Sequence, residues 1–270
     1  MDSISRLILH VKRGKTPLHR FMRNALKSFY RPQIPPLPRL LRPPLRFFYE
    51  LHYFVVVAFR SLITIFYRLP LFQARCEKVG RNLSIDGLPF VSGHVKIEIG
   101  DNVYLGGKIV VISGKMLDEP RLVIGDNAGL GWNVIIAVNR EVVIEEHARV
   151  SYDCRISDSD GHPREFDLRN ADVPPEPKDI RPVRICRGAW IGNGSHIMKG
   201  VTVGEGAVIG ANSVVISDVP PFALAMGNPA EVFIRGFGKP STAKRTQKVT
   251  KVNGQPETTR AESISNDQAL

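Results

Sequence analysis

His162 has the most reactive setting of the seven histidines, the octapeptide Ile156–Pro163 (ISDSDGHP). An imidazole titrates near neutrality, so it can take a proton from a hydroxyl too weakly acidic to attack unaided. Asp158 or Asp160 offers a carboxylate that can accept from the other ring nitrogen and set the tautomer. The bland alternative, an exposed loop histidine without a task, stays open beside this one. Asp153, just upstream, could accept from a substrate hydroxyl or simply turn a corner. Arg164 and Arg169 could read an anionic group or only solvate their loop. His94, His147 and His196 have no comparable neighbours and read as ordinary residues. Three cysteines, Cys76, Cys154 and Cys186, form no CxxC pair, and so sparse a set fits a reducing compartment.

The elements that must position these residues are announced by a period of six. Aliphatic side chains stand at Ile185, Ile191, Ile197, Val203, Ile209 and Val215 without a gap. A second ladder, small or apolar, runs through Val183, Ala189, Ser195, Val201, Ala207, Ser213 and Val219. The first pattern also occurs earlier, at Ile99, Leu105 and Val111, at Ile124, Leu130 and Ile136, and at Ile144, Val150 and Ile156. Six is too long for a helix face and is not the two-residue alternation of a lone strand. It suits short strands joined by tight corners, each pointing one aliphatic side chain into a narrow three-sided prism. Gly, Asn and Asp at the corners (GDN, GNG, GEG, GAN) accept the left-handed backbone such corners need. Stacked coils then bury a continuous ladder. Two segments break the period, 112–123 and the proline-rich excursion 161–182, and a solenoid uses such excursions to build sites on its side.

The chain of 270 residues, 43% hydrophobic, can form a sizeable core. Its net charge of +11 is not spread evenly: residues 1–46 hold eleven Lys/Arg against one acid, Asp2. The remainder is nearly neutral, which argues against a nucleic-acid groove on the main domain. Residues 31–46 are too rich in proline for helix or sheet and read, within the basic segment 1–46, as a stiff extended linker. From Phe47 to Phe72 apolar residues recur at helical spacing around a wide face, giving an amphipathic helix in the segment 47–78. Glu50, Arg60 and Arg68 interrupt it, and a mid-bilayer Arg costs at least ~2.5 kcal/mol on insertion scales. The expectation is therefore an in-plane helix at a membrane surface. Packing on the protein or a partner subunit, and a true span, are the alternatives. No signal peptide is expected, because the run Leu7-Ile8-Leu9 is short and followed by more basic residues. The β-helix domain is expected over 79–236, and the polar stretch 237–270 is expected to be disordered.

The [LIV]-G-x4 pattern resembles the hexapeptide-repeat transferases. The blocks ISDSDGHP, Arg187–Val215 (RGAWIGNGSHIMKGVTVGEGAVIGANSVV) and Asp218–Ala230 (DVPPFALAMGNPA) are most similar to its sugar O-acetyltransferase branch, the galactoside and maltose acetyltransferases and enzymes modifying capsule, exopolysaccharide or lipopolysaccharide. The resemblance covers about 80 residues strongly and about 150 with the weaker early coils. It implies an all-β, left-handed parallel β-helix, homotrimeric, with acetyl-CoA as co-substrate and no metal. It makes His162 the catalytic base toward a sugar or glycan hydroxyl. It also implies a donor groove along Trp190, Gly192, Asn193, Gly210 and Ala211, although Trp190 could be a mere surface aromatic. At Asp153 such relatives carry an Asn that touches the acceptor. Two positions depart from the pattern: Ile216-Ser217 replaces Thr-Lys, and Glu231 replaces a basic residue after GNPA. Ser217 and Arg235, or Lys239, then remain for the CoA phosphates.

Rival functions on this scaffold are an N-acyltransferase for nucleotide sugars or xenobiotics and a non-enzymatic assembly protein. A γ-type carbonic anhydrase needs three converging histidines, and the repeat region lacks the required His pair. The expected setting is cytoplasmic, peripheral on the inner face of the cytoplasmic membrane.

Overall fold

The corners show most directly why this sequence coils. In the computed structural model, which describes residues 3–14, 16–30, 36–114 and 117–237, a residue with left-handed backbone recurs every six positions through Gly188, Gly194, Gly200, Gly206 and Asn212. In the earlier coils the same corner is taken by Asn82, Asn102, Lys108, Asn127, Asn133, His147 and Asp153, all with φ between 56° and 60°. Asn and Asp tolerate this region better than other non-glycine residues because the short polar side chain bonds locally. Here the corner amides also bond along the stack: Asn82 Nδ2 donates to Asn102 Oδ1 at 2.9 Å, and Asn102 Nδ2 to Asn127 Oδ1 at 3.2 Å.

Between corners lie short strands in three parallel sheets, one per face of the prism. On one face Ile99 stands beside Ile124, then Ile144, Ile185 and Val203. On the second, Leu105 is followed by Leu130, Val150, Ile191 and Ile209. On the third, Val111 is followed by Ile136, Ile156, Ile197 and Val215. Every member of the expected aliphatic ladder is buried, and so is every member of the second ladder. Each large aliphatic side chain removed from water contributes about 1.5–3 kcal/mol. The two serines in the interior are satisfied, since Ser195 Oγ and Ser213 Oγ both donate to the Gly210 carbonyl. The stack ends in an antiparallel hairpin, Ala223–Gly227 with Ala230–Arg235.

The described residues divide into two units, one up to Arg60 and one from Ser61 onward. The first contains helices α1 (Ser3–Arg13) and α2 (Pro17–Tyr30), a 3-10 turn at Arg39–Leu41, and most of helix α3 (Arg42–Ile63). Gly14, with φ +59°, ends α1, and His10 and His19 stack with ring centroids 5.9 Å apart. Residues 36–46 of the Pro-rich stretch are thus less extended than its composition suggested. The helix begins at Arg42, not Phe47, and takes Pro43 and Pro44 into its first turn. No intrahelical bond is lost there, because the first four N–H groups of a helix have no partner anyway. Residues 31–35, in the expected linker, and 238–270, the expected tail, lie outside the described residues.

Within the second unit a wide π turn, Thr64–Arg68, precedes helix α4 (Leu69–Arg75). Pro70 accounts for it, since a proline ring cannot accept normal α spacing toward the carbonyl four residues back. The end of this helix is fixed to the first coil. Phe72 is buried in the main core, Arg68 donates to the Asp86 carbonyl, and Arg75 donates to the carbonyls of Gly93 and Val95.

Candidate active site

The excursion loop leaves the prism after the strand Arg155–Ser157 and rejoins it at Val183–Ile185. Its root is closed by two backbone bonds: Arg181 N donates to the Asp158 carbonyl at 2.9 Å, and Gly200 N to the Arg181 carbonyl at 3.0 Å. The Asp158 carboxylate, fully buried, accepts from the backbone N–H groups of Asn139, Arg140 and Glu141 and from Asn139 Nδ2. Burial pushes this carboxyl above the usual carboxylate range, while the donors pull it back down. Asp158 is therefore a brace that ties the loop root to the preceding coil. Its oxygens are all engaged, and no hydrogen bond links it to His162 among the described residues. The tautomer-setting role expected of Asp158 has no contact to rest on.

Asp160 has a different partner from the one expected. Its carboxylate lies 2.5 Å from Lys199 Nζ, an ammonium only 7% exposed. Lys199 escaped the sequence reading because its position in the repeat is a corner that normally faces water. Nothing local reports that the excursion loop comes back over that corner.

His162 is exposed and held from both sides. Before it, Ser157 Oγ donates to the Ser159 carbonyl, Gly161 N donates to Ser159 Oγ at 3.0 Å, and Gly161 turns the chain with φ +82°. After it, Pro163 is buried, and the Arg169 guanidinium donates to the carbonyls of Pro163 and Arg164. Arg169 thus serves the loop's own backbone, whereas the Arg164 side chain is exposed. A short helix, α5 (Phe166–Asn170), completes this segment. The result is an imidazole presented to solvent on a rooted loop, with a carboxylate–ammonium pair two residues away.

Asp153 sits at a left-handed corner, φ +60°, and accepts from Asn133 Nδ2 at 2.7 Å. It continues the corner ladder of the earlier coils, which favours the structural reading of this residue. The residues expected along the donor groove lie on successive coils. Trp190 is exposed, and its indole N–H donates to Ser151 Oγ at 3.1 Å. Gly192 lies so close to the next coil that a Cβ would stand 2.6 Å from the Ile209 carbonyl oxygen and 2.7 Å from Ala211 N, with Gly210 adjacent. Asn212 N donates to the Asn193 carbonyl. Trp190, Asn193 and Ala211 are exposed on neighbouring coils, with Gly210 half-buried and Gly192 buried beneath them. Ser217 and Arg235 are exposed; Ser217 follows the last short strand, and Arg235 closes the terminal hairpin.

A depression of about 540 Å³ lies elsewhere, lined by Glu145, Glu146, Arg187, Glu205 and Asp218 among others. Its acids are already occupied: Glu145 by Arg184 and the Arg187 N–H, Glu146 and Glu205 by Arg187, and Asp218 by the Thr202 N–H. The remaining reactive side chain in its lining is the free, partly exposed thiol of Cys186, which burial pushes above its ordinary value.

Residues 182–217 match the family described as bacterial transferase hexapeptide (six repeats). The chain carries the bacterial transferase hexapeptide repeat. The chain is 33% identical over 144 residues to a putative acetyltransferase of Schizosaccharomyces pombe, covering 53% of this chain and 58% of that protein. It is 34% identical over 125 residues to a putative acetyltransferase of Saccharomyces cerevisiae, covering 46% of this chain and 61% of the relative. The chain thus spans about three-fifths of the length of these two relatives. A maltose O-acetyltransferase structure from Clostridium difficile 630 overlaps it with a TM-score of 0.40 at 24% identity, over 62% of this chain and 74% of the other. So loose an overlap has no bearing on the chemistry.

Proposed function

We propose that this chain is an acetyl-CoA-dependent O-acetyltransferase acting on a sugar hydroxyl of a glycan or its precursor, with His162 as the general base. The observation that carries this reading is the presentation of one imidazole, exposed between a left-handed Gly161 and a buried Pro163, on a loop rooted in the repeat core. The repeat match and the putative acetyltransferases among the relatives support the transferase class. In this reading a ring nitrogen of His162 takes the acceptor hydroxyl proton as its oxygen attacks the thioester carbonyl. The tetrahedral intermediate collapses with departure of the CoA sulfur, which receives that proton from the imidazolium. The backbone surface Trp190, Gly192, Asn193, Gly210 and Ala211 takes the pantetheine arm, and Ser217 and Arg235 are nearest in type to partners for the CoA phosphates. Three copies complete the enzyme, with His162 facing a cleft between neighbours. The reaction takes place in the cytoplasm.

The decisive experiment compares the parent with His162→Ala for CoA release from acetyl-CoA in the presence of sugar acceptors. A general base contributes typically 10²–10⁴-fold, so turnover should fall at least about a hundredfold with an unchanged melting curve. Equal turnover in both proteins removes His162 from the mechanism. Amino-sugar acceptors in the same assay test the N-acyl alternative, and a parent inactive on every acceptor favours the assembly-protein alternative.

A further inference from the structure

The long helix Arg39–Arg75 contains an 18-residue apolar stretch with no buried residue, although its end, at Phe72, is packed in the core. Phe47, Phe48, Phe54, Phe59 and Phe66 are each at least 60% exposed. So extended an apolar surface marks a docking face. We propose that this helix lies along the surface of an anionic phospholipid bilayer, in the plane of the membrane and not across it.

The placement of charge decides between lying and spanning. At 3.6 residues per turn, Arg42, Arg46, Glu50 and Arg60 all fall within an arc of about 80°. Leu51, Phe47, Phe48, Phe54, Val55, Phe59 and Leu62 occupy the opposite side. The longest stretch without a charged residue before the π turn, Leu51–Phe59, rises only about 14 Å, under half of a ~30 Å hydrocarbon core. A spanning helix would carry the charged stripe through the bilayer. A helix in the interface keeps that stripe among the headgroups and sinks only the phenylalanine side.

The preference for anionic lipid comes from the two preceding helices. Helices α1 and α2 have no acid in their first turns. They carry Lys12, Arg13, Arg20, Arg23 and Lys27 beside exposed Ile8, Leu9, Leu18 and Phe21. Each Lys or Arg near an anionic surface raises partitioning about fivefold. A second copy of the chain as occupant would bring this cationic surface against itself.

The test is flotation of the full-length protein with vesicles of phosphatidylcholine alone or of phosphatidylcholine with one quarter phosphatidylglycerol. Partitioning to the mixed vesicles should be at least about a hundredfold stronger and should weaken in high salt. The double substitution Phe48→Glu/Phe54→Glu should abolish it, with the melting transition of the repeat domain unchanged. Bound protein should be released by alkaline carbonate. Equal binding to both vesicles, retention after carbonate, or an assembly that grows with concentration without binding lipid would each overturn the proposal. His162→Ala should float like the parent, which separates this outcome from any failure of the catalytic reading.

Discussion

At the scale of single residues, the ion pair between Lys199 and Asp160 fixes the chain two residues before the proposed base. Asp160 is partly exposed, so the pair should weigh less than the 3–5 kcal/mol lost when a fully buried pair is broken. Its importance lies in position, since small displacements of a catalytic group are costly in rate. Lys199→Met should reduce acetyl transfer by about tenfold through kcat, with a partial return in Lys199→Arg. Steady-state kinetics with a parallel thermal melt would separate that from simple unfolding. Asp158→Ala is expected to act differently: three backbone N–H groups lose their acceptor, at about 1–3 kcal/mol for each that stays unpaired. Chemical denaturation should show that loss of stability even without substrate. A third residue gives a pH signature. Burial, and then its hydrogen bond to Asp86, push the Tyr104 phenol up to about 12. The raised value means its contribution is complete below about pH 10, where the unfolded phenol is also protonated, and is lost between about 10 and 12. Alkaline ultraviolet titration against Tyr104→Phe should reveal that late-ionising phenol.

At the scale of elements, the coil depends on two different demands for glycine. Gly188 is needed for its backbone angle alone, with φ +66° and open space where a Cβ would stand. Asn fills the equivalent corner at Asn82, Asn102, Asn127, Asn133 and Asn212, so Gly188→Asn should cost under about 1 kcal/mol and Gly188→Val distinctly more. Gly192 is needed for close approach between coils. Gly192→Ala should raise the KM for acetyl-CoA and lower the melting temperature, because the obstructing atoms are backbone and cannot rotate away. In the ladder itself, Ile191→Ala should cost about 2–5 kcal/mol in a denaturant titration. The prism has little freedom to collapse around the void.

At the scale of the whole molecule, the catalytic reading places His162 in a cleft between neighbouring copies. The proposal of three copies predicts a sedimentation mass three times that of the chain in detergent-containing buffer. A monomer at working concentration that still transfers acetyl groups would remove the cleft from the mechanism. The N-terminal helices carry the strongest charge and apolar asymmetry of the chain, and a glycan acceptor held at a lipid surface would give that asymmetry a purpose.

The sequence by itself determined the repeat. A spacing of six, with glycine, asparagine or aspartate at each corner, leaves the backbone few ways to bury its aliphatic side chains, so the period specifies strands, corners and core together. It also marked the excursion loop, because leaving a period is as visible as keeping it. Only the tertiary structure decided which polar residues of that loop are braces. Whether Asp158 faces a histidine or three backbone amides, and whether Lys199 is open or covered, depends on what folds over each residue from coils tens of positions away. The start of the long helix was hidden for a local reason, since Pro43 and Pro44 oppose a helix everywhere except in its first turn. A residue's type records what it can do, and its distant neighbours decide which of those things it does.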